Sequence, residues 1–430
     1  MIENILSVGQ KTGFSAVDVF REKVEKKEFS AVPDYPAVFH AVSTDRVSIR
    51  AFWETGDPVG FLLSRPEAGA VKTAFSNIYS LKLPGEKENY AALLPSSAEK
   101  VKIDIFDGSI DELDSETFAA LSDSIAESVV QFPGLKTRKI HLTKTLKKVY
   151  AANSKGLNIK YRKTGFKLTL SFALGNNRVD ISESKVFFSR LEPFKIISRA
   201  YNLLNSLTAE KAAVQGDTPV ILAPEASAFI LKEFSGYFKI DGEKKKVEFS
   251  FPAILNIVDD PLLDRQVGSV PFDDEGVQGR ERYLVRKGVI AERISNIQSA
   301  YESGVDSSGN GFRNEHSIFP GVRFSNLYIK PTVLSLHNLM KDARQGLLVS
   351  LLRLKSMDRD SYLFSAYGYR FEGNELCEPV HFYFRTSYLS YFLNILKISK
   401  EQRFFHSAYN TGSPYIMLEA SYKSPNLFEI

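Results

Sequence analysis

The residues in this chain that could do chemistry begin with two runs of adjacent carboxylates, Asp259–Asp260–Pro261 and Asp273–Asp274–Glu275–Gly276. Clustered carboxylates suit hard cations, which take oxygen ligands. Both runs end in Pro or Gly, however, and an aspartate beside such residues builds turns by accepting hydrogen bonds from its own backbone. The turn reading is therefore preferred. The segment Gly304–Arg313 (GVDSSGNGFR) holds three glycines and an arginine, a composition that could cradle an anion on backbone N–H groups. No Gly-Lys-Ser/Thr follows, so it is not a nucleotide-binding P-loop. The blander expectation is a tight loop whose Asn310 and Arg313 line a cleft with Asp273, Asp274 and Glu275.

Nucleophile and metal motifs have little to stand on. There is no G-x-S-x-G, and Ser97-x-x-Lys100 fits S-x-x-K only at chance level in a chain this rich in Ser and Lys. The single Cys, Cys377, sits in a turn-like stretch (Glu372–Pro379) with no nearby His, which reads as a structural thiol. One Cys cannot make an internal disulfide, a four-cysteine zinc site or a CxxC motif. The six histidines are His40, His141, His316, His337, His381 and His406, no two closer than 21 positions, so every local zinc motif of closely spaced histidines is absent.

Composition bounds the rest. Fifty-five Lys and Arg against 51 Asp and Glu leave a net charge of +4, too small to imply a nucleic-acid partner. The basic segment Lys136–Lys148 has Ile140, Leu142 and Leu146 interleaved, which makes it a strand with a charged outer face. Lys244–Lys246 reads as a solvated turn. No stretch approaches the ~18 apolar residues of a membrane span. The start, MIENILSVGQKTGF, lacks the basic n-region and apolar core of a secretory signal, and with the lone Cys this gives an expectation of a cytoplasmic protein.

The elements that must position these residues divide the 430-residue chain into three regions: 1–98, 99–214 and 215–430. The first mixes strands and helices, with a hairpin over Val47–Phe52 and Val59–Leu63 and a helix from Pro66 to Ser80. A proline-containing patch, Leu93–Ala98, marks a joint. The second should hold a strand over Val101–Phe106, a helix capped by Asp114 or Ser115, long strands over Lys139–Ala152, Leu157–Leu174 and Val179–Phe188, and a helix from Pro193. Phe166, Leu168, Leu170 and Phe172 alternate cleanly, as in a sheet with one wet face. A polar stretch, Thr208–Thr218, gives the second boundary. The last region opens with strand Pro219–Leu222 and a helix from Pro224, turns mostly to short strands, and carries a helix capped by Ser335 and stopped by Gly346. The order predicts an α+β fold, a mixed N-terminal α/β region followed by a β-rich C-terminal domain.

Several segments together resemble the TldD/PmbA family, the "modulator of DNA gyrase" proteins related to metalloproteases. The carriers are Asn153–Gly156 (NSKG), Ala223–Ala226 (APEA), Ile257–Pro261 (IVDDP), Gly268–Val277 (GSVPFDDEGV), Ser308–Arg313 (SGNGFR), Pro320–Tyr328 (PGVRFSNLY) and Gly346–Val349 (GLLV). Their order and spacing match over most of the chain, most specifically in the last two hundred residues.

In TldD-type members the resemblance implies a helix carrying H-E-x-x-x-H, whose histidines bind zinc and whose Glu is the general base, with a later Cys completing the site. Here the matching stretch reads Lys232–Glu233–Phe234–Ser235–Gly236–Tyr237, and no Cys follows Cys377. Only Glu233 is retained. Zinc needs about three protein donors, and a protonated Lys232 puts a cation where a lone pair is required. Tyr237, with a reference pKa of about 10, is a poor substitute. No zinc is therefore expected on this chain. The pattern is similar to the PmbA (TldE) side of the family, which implies a non-catalytic subunit of a peptide-degrading metalloprotease, as a homodimer or as a heterodimer with a TldD-type subunit, around a peptide-accommodating cavity. Two alternatives stand beside it. One is a stand-alone homodimeric regulator of a toxin–antitoxin or gyrase target; the other is metal-free chemistry by Lys232, Glu233 and Tyr237.

Overall fold

Period-two alternation organises the first half of the chain. In the computed structural model, which describes residues 1–64, 67–80, 89–99, 101–210, 214, 218–240, 250–358 and 361–419, six strands form one antiparallel sheet. They are β1 (Ala16–Ala31), β2 (Val38–Phe52), β3 (Val59–Leu63), β4 (Lys136–Asn153), β5 (Asn158–Leu174) and β6 (Asn177–Lys185), in the order β3-β2-β1-β4-β5-β6. One face is apolar. Val17, Val19, Val47, Ile49 and Ala51 pack beneath helices α1 (Ile2–Thr12) and α2 (Ala68–Ser80). Ile140, Leu142, Phe166, Leu168, Leu170 and Phe172 pack beneath α3 (Gly108–Glu112), α4 (Ser115–Val129) and α5 (Pro193–Ser206). Asp114 caps α4 by accepting from the Thr117 N–H at 2.8 Å, and Pro193 opens α5, as their sequence positions predict. Lys144 breaks the apolar pattern because its ammonium donates to the Asp111 and Leu113 carbonyls at 2.8 and 2.5 Å, satisfying the end of α3.

The sheet runs straight through the joint expected at residue 98. Strand β1 pairs with β4 from Asp18 opposite Asn153 to Ala31 opposite Ile140, so residues on both sides of the joint share one sheet. Val101–Phe106 is not a strand. It crosses the end of the sheet with Ile105 buried, and its carbonyl accepts from the Thr164 N–H at 3.1 Å, because β4 and β6 already occupy both edges of β5. The helix start at Pro66 and the turn at Lys244–Lys246 lie outside the described residues.

The second half is built on a ten-stranded mixed sheet. Its strands are β7 (Val220–Leu222), β8 (Ile257–Asp259), β9 (Arg282–Arg286), β10 (Val289–Ile290), β13 (Asn326–Ile329), β14 (Gln345–Asp358), β15 (Ser361–Glu372), β16 (Glu375–Ser387), β17 (Ile395–His406) and β18 (Asn410–Leu418). A small separate pair, β11 (Gly311–Phe312) and β12 (Gly321–Val322), completes the count among described residues. Helices α6 (Pro224–Phe234), α7 (Ile297–Glu302), α8 (Leu336–Ala343) and α9 (Tyr388–Leu393) surround the sheet, and α6 packs on β14, β17 and β18. Phe234, Phe238, Phe364, Phe382, Tyr391 and Phe392 concentrate in the core beneath it. Ser335 caps α8 as expected, but the stop is Arg344, at φ 63°; Gly346 already belongs to β14. Helices and strands together give the expected α+β fold. Among the described residues no helix is long and apolar enough to cross a membrane.

A buried charge network joins the halves. Arg50 of β2 donates from Nε to both Asp18 oxygens, at 3.1 and 2.9 Å, and from Nη1 to Glu275 Oε1 at 2.7 Å. All three side chains lie below 10% exposure. Burial lowers the Arg50 pKa, but the charges of Asp18 and Glu275 outweigh it and the guanidinium is held more firmly protonated than usual. Gly276 belongs to the same seam. Its φ is +80°, and a Cβ there would lie 2.2 Å from Leu157 Cδ2 of the first sheet. Replacing Arg50 by Met strands two buried carboxylates, and the expected loss of stability is about 3–5 kcal/mol, read from the urea midpoint. A change below about 1 kcal/mol would show that the network does not hold the halves together.

Candidate functional site

The acidic clusters fold as latches. Asp259 is fully buried and accepts from Asn310 Nδ2 at 2.7 Å, from the Ser325 N–H at 2.9 Å and from Ser325 Oγ at 3.0 Å. Asp273 accepts from the Glu275 and Val277 N–H groups at 3.0 and 2.9 Å, closing its own turn, and from the Gly311 N–H at 2.8 Å. Asp274 accepts from the Arg313 N–H at 2.6 Å, and Glu275 from the Ile297 N–H at 2.8 Å. Burial raises the Asp259 pKa to about 6 against the bonds from Asn310 and Ser325. It also pushes Asp273 well above the carboxylate range, aided by the Glu275 charge. These carboxylates are used by backbone amides and guanidinium groups. Among the described residues no group of three His, Cys, Asp or Glu could hold a metal ion.

Of the five residues expected to line a cleft, only Asp274 borders one. Asp273, Glu275, Asn310 and Arg313 are buried in the seam. Arg313 is turned inward because its Nε donates to the Ile318 carbonyl at 2.9 Å and its guanidinium lies 5.0 Å over the Phe20 ring.

The helix matching the family's zinc motif is α6. Ala226, Ile230, Leu231 and Phe234 bury its inner side, and Ser227 Oγ lies 2.7 Å from both Tyr391 OH and Ser413 Oγ. Lys232 borders an apolar groove of about 270 Å³ with Phe229, Leu352, Phe405 and His406. Glu233 is exposed. Tyr237 lies past the end of α6, on the tighter turn Ser235–Phe238, and stacks on Tyr388 with centroids 4.0 Å apart. Cys377 is exposed on the edge strand β16, two strands from β14. An ammonium, a solvated carboxylate and a stacked phenol do not fit zinc, which wants neutral imidazole, thiolate or carboxylate donors in a tetrahedron.

A larger cleft of about 690 Å³ opens beside this groove, between the polar face of the first sheet and the second half. One wall is the face opposite the helices: Lys26 and Glu28 of β1, His141, Thr143, Thr145 and Lys147 of β4, Tyr161, Lys163 and Lys167 of β5. The facing wall carries Phe312, Arg323, Phe324, Ser325, His406 and Tyr409. Thus the wet face that alternation implies is the wall of a cleft. Its signal was present at the odd positions of Lys136–Lys148 and of Tyr161–Lys167, but no local pattern shows what stands across from them. Lys147 pairs with Glu22, and Lys163 donates to the Val267 and Ser269 carbonyls at 2.5 and 2.8 Å. Burial lowers the Lys163 pKa to about 7, with Lys147 and Arg323 adding repulsion. The His406 imidazole keeps an open face toward the cleft. Desolvation, and then the cations Lys163, Lys167 and Arg323, lower its pKa to about 4.

Comparison with known proteins places this frame. Residues 215–422 match the PmbA/TldA metallopeptidase C-terminal domain. A zinc metalloprotease TldD homolog from Saccharolobus solfataricus is 23% identical over 394 residues, covering 86% of this chain and 85% of the relative. The fold is that of TldE from Thermococcus kodakarensis, with a TM-score of 0.83 at 19% identity over 97% of this chain and 98% of the other. A Thermotoga maritima protein described as a candidate modulator of a DNA gyrase superposes with a TM-score of 0.80 at 18% identity, covering 97% of each chain. The C-terminal half of the chain, residues 215–422, thus carries the family's C-terminal domain, and the whole chain shares the fold of the TldE structure.

The cleft makes a measurable claim about His406. Its imidazole is expected to titrate by NMR near pH 4 rather than near 6.5, and Lys167→Ala or Arg323→Ala should each raise that midpoint. A normal midpoint that neither substitution moves would remove the cationic field.

Proposed function

We propose that this chain is a non-catalytic, PmbA/TldE-type subunit of a metalloprotease complex acting on small or unfolded peptides, with zinc and general base supplied by a TldD-type partner. The observation that carries this reading is the chemistry at the motif positions. Lys232 and Tyr237 replace the two histidines, one bordering an apolar groove and the other stacked on Tyr388, and Cys377 is remote from both. A cationic Lys232 disfavours Zn²⁺ by repulsion as well as by lacking a free lone pair. The helix itself keeps its packing, so the frame that would meet a partner is retained while the metal donors are not. Glu233, exposed and without a metal-bound water to activate, has no base function in this scheme. The cleft between the halves gives such a subunit a surface for an extended peptide.

The purified chain is expected to carry no stoichiometric zinc by elemental analysis and to cleave no unfolded peptide alone. It should form a complex with a TldD-type subunit bearing an intact H-E-x-x-x-H, and Glu233→Gln should leave the activity of that complex unchanged. One tightly held zinc per chain, or loss of activity with Glu233→Gln, would overturn the proposal. Recovery of the chain only as a self-associated binder of a non-protease target would favour the stand-alone regulator instead.

A further inference from the structure

The cleft between the halves is lined by five Lys or Arg side chains against three carboxylates, Glu28, Asp274 and Glu315, an excess of positive charge. Strand pairing places Lys147 directly opposite Lys163 and Thr143 opposite Lys167 on the same face, with Arg323 across the gap. Like charges facing each other across a pair of strands are destabilising, so this arrangement costs the fold stability. Two cations are answered within the wall: Lys147 by Glu22, and Lys26 by Glu28 at 3.8 Å. Among the described residues no carboxylate lies within ion-pair distance of Lys163, Lys167 or Arg323. Arg323 is instead steadied over the Phe312 ring at 4.9 Å, which fixes its guanidinium without neutralising it.

From this placement we infer that the cleft selects acidic, extended peptide segments, with Lys167 and Arg323 receiving Asp and Glu side chains. That the ligand is a peptide rests on the protease-subunit reading; the charge preference rests on the cleft alone. The remaining lining suits such a ligand. Thr145 and Ser184, both half-buried, offer hydroxyls along the sheet wall. The lining crosses β1, β4, β5 and β6, three interstrand spacings or roughly 14 Å, about the length of four extended residues. A positive wall set in a low-dielectric gap concentrates field on whatever enters it.

The test is calorimetric titration of the full chain with three blocked hexapeptides of one length: an Asp/Glu peptide, its Asn/Gln isostere and a Lys peptide. The acidic peptide is expected to bind at least about tenfold more tightly than the isostere, with affinity falling as salt rises. Lys167→Glu combined with Arg323→Glu should abolish that preference, whereas Lys160→Glu, on an exposed position of β5 outside the cleft lining, should not. Circular dichroism confirms that each variant is folded. Equal binding of the acidic peptide and its isostere would overturn the charge selection and leave the protease-subunit reading standing. Binding of no peptide at all would overturn both, as would oligothymidylate binding more tightly than the acidic peptide.

Discussion

One guanidinium, that of Arg50, is shared between Asp18 of the first sheet and Glu275 of the second half and ties together the two halves that wall the cleft. Taking three charged groups out of water is expensive, and the expense is recovered only when geometry is good and the remaining lone pairs are used. Both conditions hold. Glu275 also accepts from the Ile297 N–H, and Arg313 lies near Asp18 from the other side, at 3.7 Å. The network therefore joins two halves that also pack apolar groups across the seam, Ala16, Phe52, Tyr90 and Leu94 clustering with Ile297, and Tyr161 meeting Phe272 at 5.1 Å. The cleft is what remains where the network ends. Its two walls come one from each half.

The second organising feature is a helix that keeps its structural residues and lacks its chemical ones. The buried side of α6, with Ala226, Ile230, Leu231 and Phe234, is set by packing on β14 and β18, and its one buried hydroxyl, Ser227, is bonded to Tyr391 and Ser413. Positions 232, 233 and 237 stand outside that constraint, which is why they can differ from a ligand set without cost to the fold. Tyr237 has been absorbed into an aromatic stack with Tyr388. Such a stack is worth roughly 0.5–1.5 kcal/mol, so Tyr237 contributes to stability.

Much of this was legible in the sequence where one physical rule decides the outcome. The alternation Phe166, Leu168, Leu170, Phe172 fixed both the strand and its buried face, Asp114 announced a helix start, and the order of family-like segments announced the frame. Legibility failed where distant segments had to meet. Nothing local to Ala16–Ala31 says that it sits between β2 and β4, so the sheet crossing residue 98 was hidden. Val101–Phe106 has strand composition, but no free edge was available to it. Asp273, Glu275, Asn310 and Arg313 have the residue types of a cleft lining, yet their hydrogen bonds with Gly311, Ile297, Asp259 and Ile318 respectively hold them buried. The cleft itself was divided among β1, β4, β5 and the β17–β18 turn, and each part alone read as an ordinary solvated face.

The proposed place of this chain in a protease assembly is tested by where the metal resides. Crystals of this chain in complex with a TldD-type subunit, measured at and just below the zinc absorption edge, would locate the metal directly. An anomalous peak confined to the partner's H-E-x-x-x-H helix is the predicted result. A peak beside Lys232 and Glu233 would contradict the assignment of this chain as the subunit without zinc.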